Sequence, residues 1–436
     1  MALRKTNKSF VGIRHGRLKR SSATKNVLRG LLTTALVLTI SGMTVAAYAL
    51  WDLRDSVSTI SLSKPTSQGE NFEYDGRPID GEFAIALIGS DTREGQVGYQ
   101  DGVEGELNDV NLLLYVDESH QNATVISFSR DLMIPIPSCP GPNGEEFWTY
   151  AESEGQINTA LDKGGLVCAV RTLEELVGFE IPYAGLITFD GVINMSNAIG
   201  GVDICLTEPI YDPHTGLDLE AGDVTLVGYD ALQFLRTRHG VGDGGDSSRI
   251  SNQQVFMASM VRQLQETATF ADPVQVYKLA KAAVESMTMS DTLVQIPVMQ
   301  SMAMVLKDLD LERINFVQYP SAAHAYDENR YSPDWYAAEE LLTLMQAGQP
   351  FEVTSLGVAV QEGKDATPDI YNPEFEDPVL AESENEDLGY DSESWEENES
   401  LEPGQPLDPS KPAKINPNIT GQSAAQVTCS QGRTVW

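Results

Sequence analysis

Residues 82–89 read "EFAIALIG", residues 109–116 "DVNLLLYV" and residues 122–128 "NATVISF". Each is a largely continuous, β-rich apolar run, unlike the alternation of a strand with one wet face. Runs of this kind are strands covered on both sides by helices. The surrounding sequence supplies those helices. "LVCAVRTLEELVG" (166–178) has helical spacing and stops at Gly178. "YDALQFLRTR" (229–238) reads as a short helix, and "SSRISNQQVFMASMVRQLQ" (247–265) as a long amphipathic one with Ser247 or Ser248 as N-cap. Further helical segments fall near 273–286 and 291–308, and "PDWYAAEELLTLMQ" (333–346) closes the series. "YAGLITF" (183–189), "GVDICL" (201–206) and "RINFVQYP" (313–320) read as strands between them. The alternation predicts an α/β fold, an α/β/α sandwich around a central mixed sheet, preceded by a single transmembrane helix.

That last helix is read from charge and hydropathy. Residues 1–29 hold nine Lys/Arg and no acid, and the 22 residues from Gly30 to Trp51 hold no charge. Such a stretch spans a hydrocarbon core of roughly 30 Å. The basic flank sets the N-terminus in the cytoplasm and the bulk of the chain outside, as a single-pass protein of the cell membrane. The competing reading is a cleaved signal peptide, with "AYA" at 47–49 as the small-residue site, but the apolar run is longer than the usual h-region.

The 436 residues carry a formal net charge of −35. Without the nine N-terminal cations, 20 Lys/Arg face 64 Asp/Glu, or −44. A surface of this sign repels nucleic acid, which excludes a nucleic-acid partner and a transcription-factor role. The expected organisation is a basic cytoplasmic tail (1–29), an anchor (30–51), a polar stalk (52–80), a catalytic domain (81–350), an acidic disordered linker (351–420) and a Cys-containing tail (421–436). The linker assignment rests on sixteen acids against one Lys between Glu362 and Glu402. Four cysteines outside the membrane favour two disulfides. Their pairing cannot be deduced from sequence; Cys139–Cys168 with Cys205–Cys429 is preferred.

On so acidic a chain, one cluster of cations stands out. "FLRTRHGVGDGGDSSRISNQQ" (234–254) gathers Arg236, Arg238, His239 and Arg249 around Gly240, Gly242, Gly244 and Gly245. The glycines let backbone N–H groups approach a ligand, Arg249 lies in the first turn of a helix, and arginine captures phosphate oxygens in pairs. The cluster reads as a trap for phosphate or diphosphate. The bland alternative is ordinary ion pairing with Asp230, Asp243 and Asp246. His239 reads as a packing residue. A second set lies at strand ends: Asp91 and Arg93 in "IGSDTR" (88–93), Asp109 in "LNDVN" (107–111), and Arg130 with Asp131 in "SFSRDL" (127–132). Carboxylates beside a diphosphate suggest Mg²⁺, which takes one or two protein carboxylates plus phosphate oxygens and water.

"IGSDTR", "SFSRDLMIPIP", "INTALDKGG", "ITFDGVINMSNAIGGV" and the arginine loop occur in the order and spacing of the LytR-CpsA-Psr family, and the chain resembles it over roughly residues 83–265. The short "AAQVTC" (424–429) resembles a tail of actinobacterial members. The resemblance implies an α/β/α enzyme with an apolar groove for a polyprenyl chain. It implies transfer of a glycopolymer from an undecaprenyl- or decaprenyl-diphosphate carrier onto peptidoglycan at the membrane, leaving a phosphodiester link to a muramic acid hydroxyl. Carried over by motif, Arg93, Arg130, Arg236, Arg238 and Arg249 bind the diphosphate. Asp91 and Asp109 hold Mg²⁺, or Asp109 takes the acceptor proton. Gln253 and Gln254 orient phosphate or the arginines, and Asp246 is the loop acid. Asp109, Arg130, Arg236 and Arg238 are thus the catalytic candidates.

Three positions depart from the pattern: Leu107 and Asn252 stand where many members have Arg, and Gln156 where Lys is usual. Two other readings use the same residues: a lipid-diphosphate hydrolase with water as acceptor, and a non-catalytic binder or wall-associated regulator.

Overall fold

A computed structural model of the protein describes residues 23–55, 58–62, 79–91, 106–141, 148–266, 273–363 and 411–435. Most of the basic tail, Arg93 and the bulk of the acidic segment, 364–410, lie outside them. The chain forms two units, Met1–Asp55 and Ser56–Trp436. The first contains one helix, Ala23–Asp55, whose stretch Lys25–Thr44 is long and apolar enough to cross a membrane. Within it Thr39 and Thr44 donate their hydroxyls to the carbonyls of Ala35 and Ile40, one turn back, at 2.8 Å.

The second unit is built on an eight-stranded mixed sheet. Its spatial order is Ser58–Ile60, Met287–Ser290, Tyr183–Ile187, Phe83–Ser90, Asn108–Val116, Ala123–Phe128, Ile314–Gln318 and Gly421–Ser423. The three apolar runs are its centre. Phe83–Ser90 and Ala123–Phe128 both pair antiparallel with Asn108–Val116, and each pairs parallel with its outer neighbour. Their side chains alternate between two cores. Ala84, Ala86, Ile88, Leu113 and Ile126 pack under the helices Ala160–Val177 and Trp335–Gln346. Phe83, Val116, Ala123 and Phe316 pack on the other face, under Asp246–Glu266 and Ile296–Asp308. Both faces are dry, so the runs need no polar alternation, and the layers are α/β/α as expected.

A second sheet of four strands, Gly222–Leu226, Val202–Leu206, Thr428–Ser430 and Val360–Glu362, covers a third core around Phe234, Val241 and Phe256. Cys139 bonds to Cys168 and Cys205 to Cys429, the preferred pairing. Cys429 lies directly beside Cys205 in parallel register, so the disulfide links neighbouring strands.

Several boundaries move. The expected strand 183–189 ends at Ile187, and an unread helix, Phe189–Ile199, follows. The helix expected from 291 starts at Ile296, because Met287–Ser290 is a strand against Tyr183–Ile187. The long helix begins at Asp246, so neither Ser247 nor Ser248 caps it. The polar stalk contributes Ser58–Ile60 to the main sheet and Ile79 to a core. The linker boundary at 351 is too early: Phe351–Glu352 pairs with Ala413–Lys414, and Val360–Glu362 with Thr428–Ser430. Both segments bury apolar residues (Phe351, Ala359, Ile415 and Ile419), so hydrophobic burial overrides the acidic composition around them.

The edge strand Gly421–Ser423 sits so close to its neighbour that a Cβ on Gly421 would collide with the Phe316 carbonyl oxygen. Gly421→Ala is therefore expected to cost about 1–3 kcal/mol of stability, read from urea unfolding.

Candidate active site

The site lies where the strand ends meet. Asn108, fully buried, donates to Asn111 Oδ1 at 2.6 Å and to Ile157 O at 3.0 Å, and accepts from Leu161 N at 3.0 Å. These bonds pin the strand's first residue to the start of the helix Ala160–Val177, and so fix its neighbour Asp109. Asp91 joins the facing strand end to the same place: Leu107 N donates to Asp91 Oδ1 at 2.9 Å and Asp91 N donates to Leu107 O at 3.1 Å.

Asp109, Arg130, Asp246 and Arg249 form one charged cluster. Arg130 Nη1 lies 2.7 Å from Asp109 Oδ1. Asp246, whose side chain is 2% exposed, opens the long helix and accepts from Ser129 Oγ at 2.6 Å and from Arg130 N at 3.2 Å. Its other oxygen lies 2.6 Å from Arg249 Nη2. That nitrogen also donates to Asp109 O at 2.8 Å, with Asp109 Oδ2 3.9 Å from Nη1. A carboxylate in a helix's first turn is favoured by the helix dipole as well as by the arginine. The bland alternative thus holds for Arg249: it is buried and committed to Asp246, bracing the cluster. Arg130 is held charged. Burial alone would lower its pKa, but Asp109, by charge and hydrogen bond, then Asp131 and Asp246, raise it above the ordinary arginine value.

Arg238 is the opposite case. Half-buried, its guanidinium makes no hydrogen bond or ion pair among the described residues. Burial, followed by the positive charges of Arg130 and Arg249, pushes its pKa below the ordinary value, against a weaker pull from Asp246 and Asp131. A guanidinium set among cations with no partner is a place for an anion. Arg236, two residues earlier, stacks on the Phe189 ring at 4.2 Å, supplied by the helix that sequence reading missed.

The glutamine pair divides its work. Gln253 Nε2 donates to Leu235 O at 2.8 Å, and Asn252 Nδ2 to Phe234 O at 2.9 Å. Both amides brace the last carbonyls of the helix Tyr229–Arg236, which carries Arg236 and leads into Arg238. Asn252, at a position of family Arg, thus serves the backbone. Gln254 is buried as well, its carbonyl accepting from Gln422 Nε2 at 3.3 Å. His239, exposed, has its ring centroid 4.6 Å from that of His214.

One cation was not foreseen. Arg330, on the hairpin joining Ser321–His324 to Asp327–Pro333, places Nη1 2.6 Å from Asp131 Oδ1. Asp131 also accepts from Gln156 Nε2 at 2.7 Å and lies 3.6 Å from Arg130 Nε. Gln156 therefore occupies its usual Lys position as a neutral donor, while Arg330 brings the charge from 199 residues away.

Asp91 is hydrogen-bonded to Leu107, two residues before Asp109, whose side chain remains 22% exposed. Among the described residues no group of three or more His, Cys, Asp or Glu converges, so a magnesium ion held by these two carboxylates would take its remaining ligands from phosphate oxygens and water.

The chain is thus an α/β/α domain whose strand ends gather guanidinium groups, one of them without a partner among the described residues. The chain belongs to the LytR_cpsA_psr family, whose pattern it matches over residues 53–347. It is similar to the cell wall biosynthesis protein LcpA of Corynebacterium glutamicum, 26% identical over 283 residues, which cover 59% of this chain and 53% of that protein. It is also similar to the polyisoprenyl-teichoic acid–peptidoglycan teichoic acid transferase TagU of Enterococcus faecalis, 24% identical over 244 residues, 55% of this chain and 72% of that protein. The chain spans about half the length of the first curated relatives it matches, 53% of LcpA and 47% of LcpB. Among solved structures, the LytR-Csp2A-Psr enzyme from Actinomyces oris is similar at 19% identity with a TM-score of 0.48, over 66% of this chain and 95% of that one.

Proposed function

We propose that the protein transfers a glycopolymer from a polyprenyl-diphosphate carrier to peptidoglycan, forming a phosphodiester bond, from a single-pass anchor with its N-terminus in the cytoplasm. The observation that carries this reading is Arg238: a guanidinium with no hydrogen-bonding or ionic partner among the described residues, under the positive charges of Arg130 and Arg249, beside a glycine-rich loop. The relative named above as a teichoic acid transferase supports the substrate class.

In this reading Arg238 and Arg130 receive the diphosphate oxygens, with Arg93 and Arg236 as further cations. Charge spreads over these oxygens as the acceptor hydroxyl attacks, and fixed guanidinium groups stabilise it without reorganising. The new bond joins the acceptor oxygen to the glycopolymer-side phosphorus. The bond from that phosphorus to the bridging oxygen breaks, and polyprenyl phosphate leaves. Asp109, held in place by Arg130, either takes the acceptor proton, a contribution worth roughly 10²–10⁴-fold, or serves instead as a metal ligand. Asp91 and Asp109 would hold Mg²⁺, which when bound adds positive charge at the phosphate oxygens. Arg249, Asp246, Gln253 and Gln254 keep the cations and their loop in place.

The test incubates the full chain in detergent micelles with a polyprenyl-diphosphate-linked oligosaccharide, Mg²⁺ and peptidoglycan fragments. Mass spectrometry is expected to find the phosphodiester-linked product, lost on adding a chelator and restored by Mg²⁺. Free sugar phosphate without linked product would assign the site to hydrolysis.

A further inference from the structure

The arginine loop is braced from within, by Val241 N donating to Arg238 O at 3.3 Å, Gly244 N to Val241 O at 3.0 Å and Gly245 N to Asp243 Oδ1 at 2.8 Å, and also from outside. Its middle is paired with residues from the far end of the chain. Arg433 N donates to Gly240 O at 2.8 Å, Gly242 N donates to Gln431 O at 3.2 Å, and Val241 and Gly432 form an antiparallel bridge. The Arg433 side chain continues the contact, its Nη1 donating to Asp243 O at 3.1 Å. On its other side the same segment is pinned to Tyr211, whose N donates to Arg433 O at 3.3 Å and whose O accepts from Val435 N at 2.9 Å. Gly432 has no room for a side chain, since a Cβ there would collide with the Glu208 carbonyl oxygen. Gly242 adopts φ +47° with Ala359 against it, a conformation that few residues other than glycine accept. Two residues before Gln431, Cys429 is bonded to Cys205, which anchors the segment on the small sheet.

We infer that residues 431–435 are a strap that positions the arginine loop, with Arg433 as its positioning residue. A loop with four glycines loses much conformational freedom when it closes on an anion. A strap that orders it beforehand removes that loss from binding and so raises affinity. Arg433 acts through the Asp243 carbonyl on the turn between Arg238 and Arg249. The inference rests on the transferase reading only for the identity of the anion.

The test compares the full chain in micelles with a deletion of residues 432–436 and with Arg433→Ala and Arg433→Lys. The deletion leaves Cys429 and its strand in place. Amide hydrogen exchange is read at residues 240–244, and binding is read calorimetrically with geranyl diphosphate as probe. The deletion is expected to speed exchange at Gly242 at least tenfold, and to weaken geranyl diphosphate by about tenfold while the central strands stay protected. Arg433→Ala moves both readouts the same way and Arg433→Lys restores them, because a lysine can still donate to Asp243 O. In transfer assays the loss falls on KM for the diphosphate donor. Unchanged exchange and affinity in the deletion would overturn the inference. So would an affinity loss in Arg433→Ala that tracks global unfolding and that Arg433→Lys does not repair. If the full chain ignores geranyl diphosphate, the transferase reading falls. The exchange comparison would still decide whether the strap orders the loop.

Discussion

Arg238→Ala is expected to lose transfer activity by roughly 10²–10³-fold while the protein melts no lower than before. Activity and stability separate because of where the guanidinium sits. It has no hydrogen-bonding or ionic partner among the described residues, and the positive charges of Arg130 and Arg249 act on it more strongly than the carboxylates of Asp246 and Asp131. Removing it strands no carboxylate and relieves like-charge repulsion, so the stability change stays within about 1 kcal/mol. On the proposed reading the same charge carries the bound diphosphate, because its neighbours are partly spent: Arg130 on Asp109 and Arg249 on Asp246. Arg238→Lys should recover little, since an ammonium cannot reproduce bidentate contact with phosphate oxygens. The measurement is initial transfer rate beside a thermal melt. Full activity in Arg238→Ala would remove the diphosphate from this loop.

Asp246→Ala is expected to do the reverse and strike the fold first. Its carboxylate accepts from Ser129 Oγ and Arg130 N and faces Arg249, whose side chain is only 5% exposed. Deleting one member of a buried pair leaves the other charge uncompensated, which costs about 3–5 kcal/mol. Denaturant unfolding should register that loss. The double variant Asp246→Ala/Arg249→Met should regain a large part of it, because the stranded charge is gone; this coupling separates an electrostatic cause from a cavity. If the double variant is no more stable than Asp246→Ala, the pairing is not what Asp246 contributes.

Much of the architecture was legible because the strongest signals were local. The runs 82–89, 109–116 and 122–128 are apolar without alternation, and a sheet dry on both faces is the arrangement that tolerates them. Arg236, Arg238 and Arg249 fall within fourteen residues, so their gathering was visible in one line of sequence. What escaped depends on tertiary contact. The helix Phe189–Ile199 contains Gly191 and two Asn, poor helix formers, and Gly191 packs against the Ser286 carbonyl, a contact no local pattern reports. Arg330 carries no motif; only the return of its hairpin to Asp131 gives it meaning. Residues 411–420 read as the end of a spacer, because the partners of Ala413 and Thr420, Phe351 and Ser355, lie on the far side of the acidic segment.

The lateness of that closing strand bears on how the protein is made. Ile314–Gln318 is buried along its whole length, and its outer side is covered by Gly421–Ser423, which is synthesised only after the acidic stretch has passed. Until then the central sheet presents a bare row of amide and carbonyl groups to every other nascent copy, the kind of edge that invites aggregation. The main sheet is therefore closed on that side by one late three-residue strand, whose arrival decides when the edge ceases to be open.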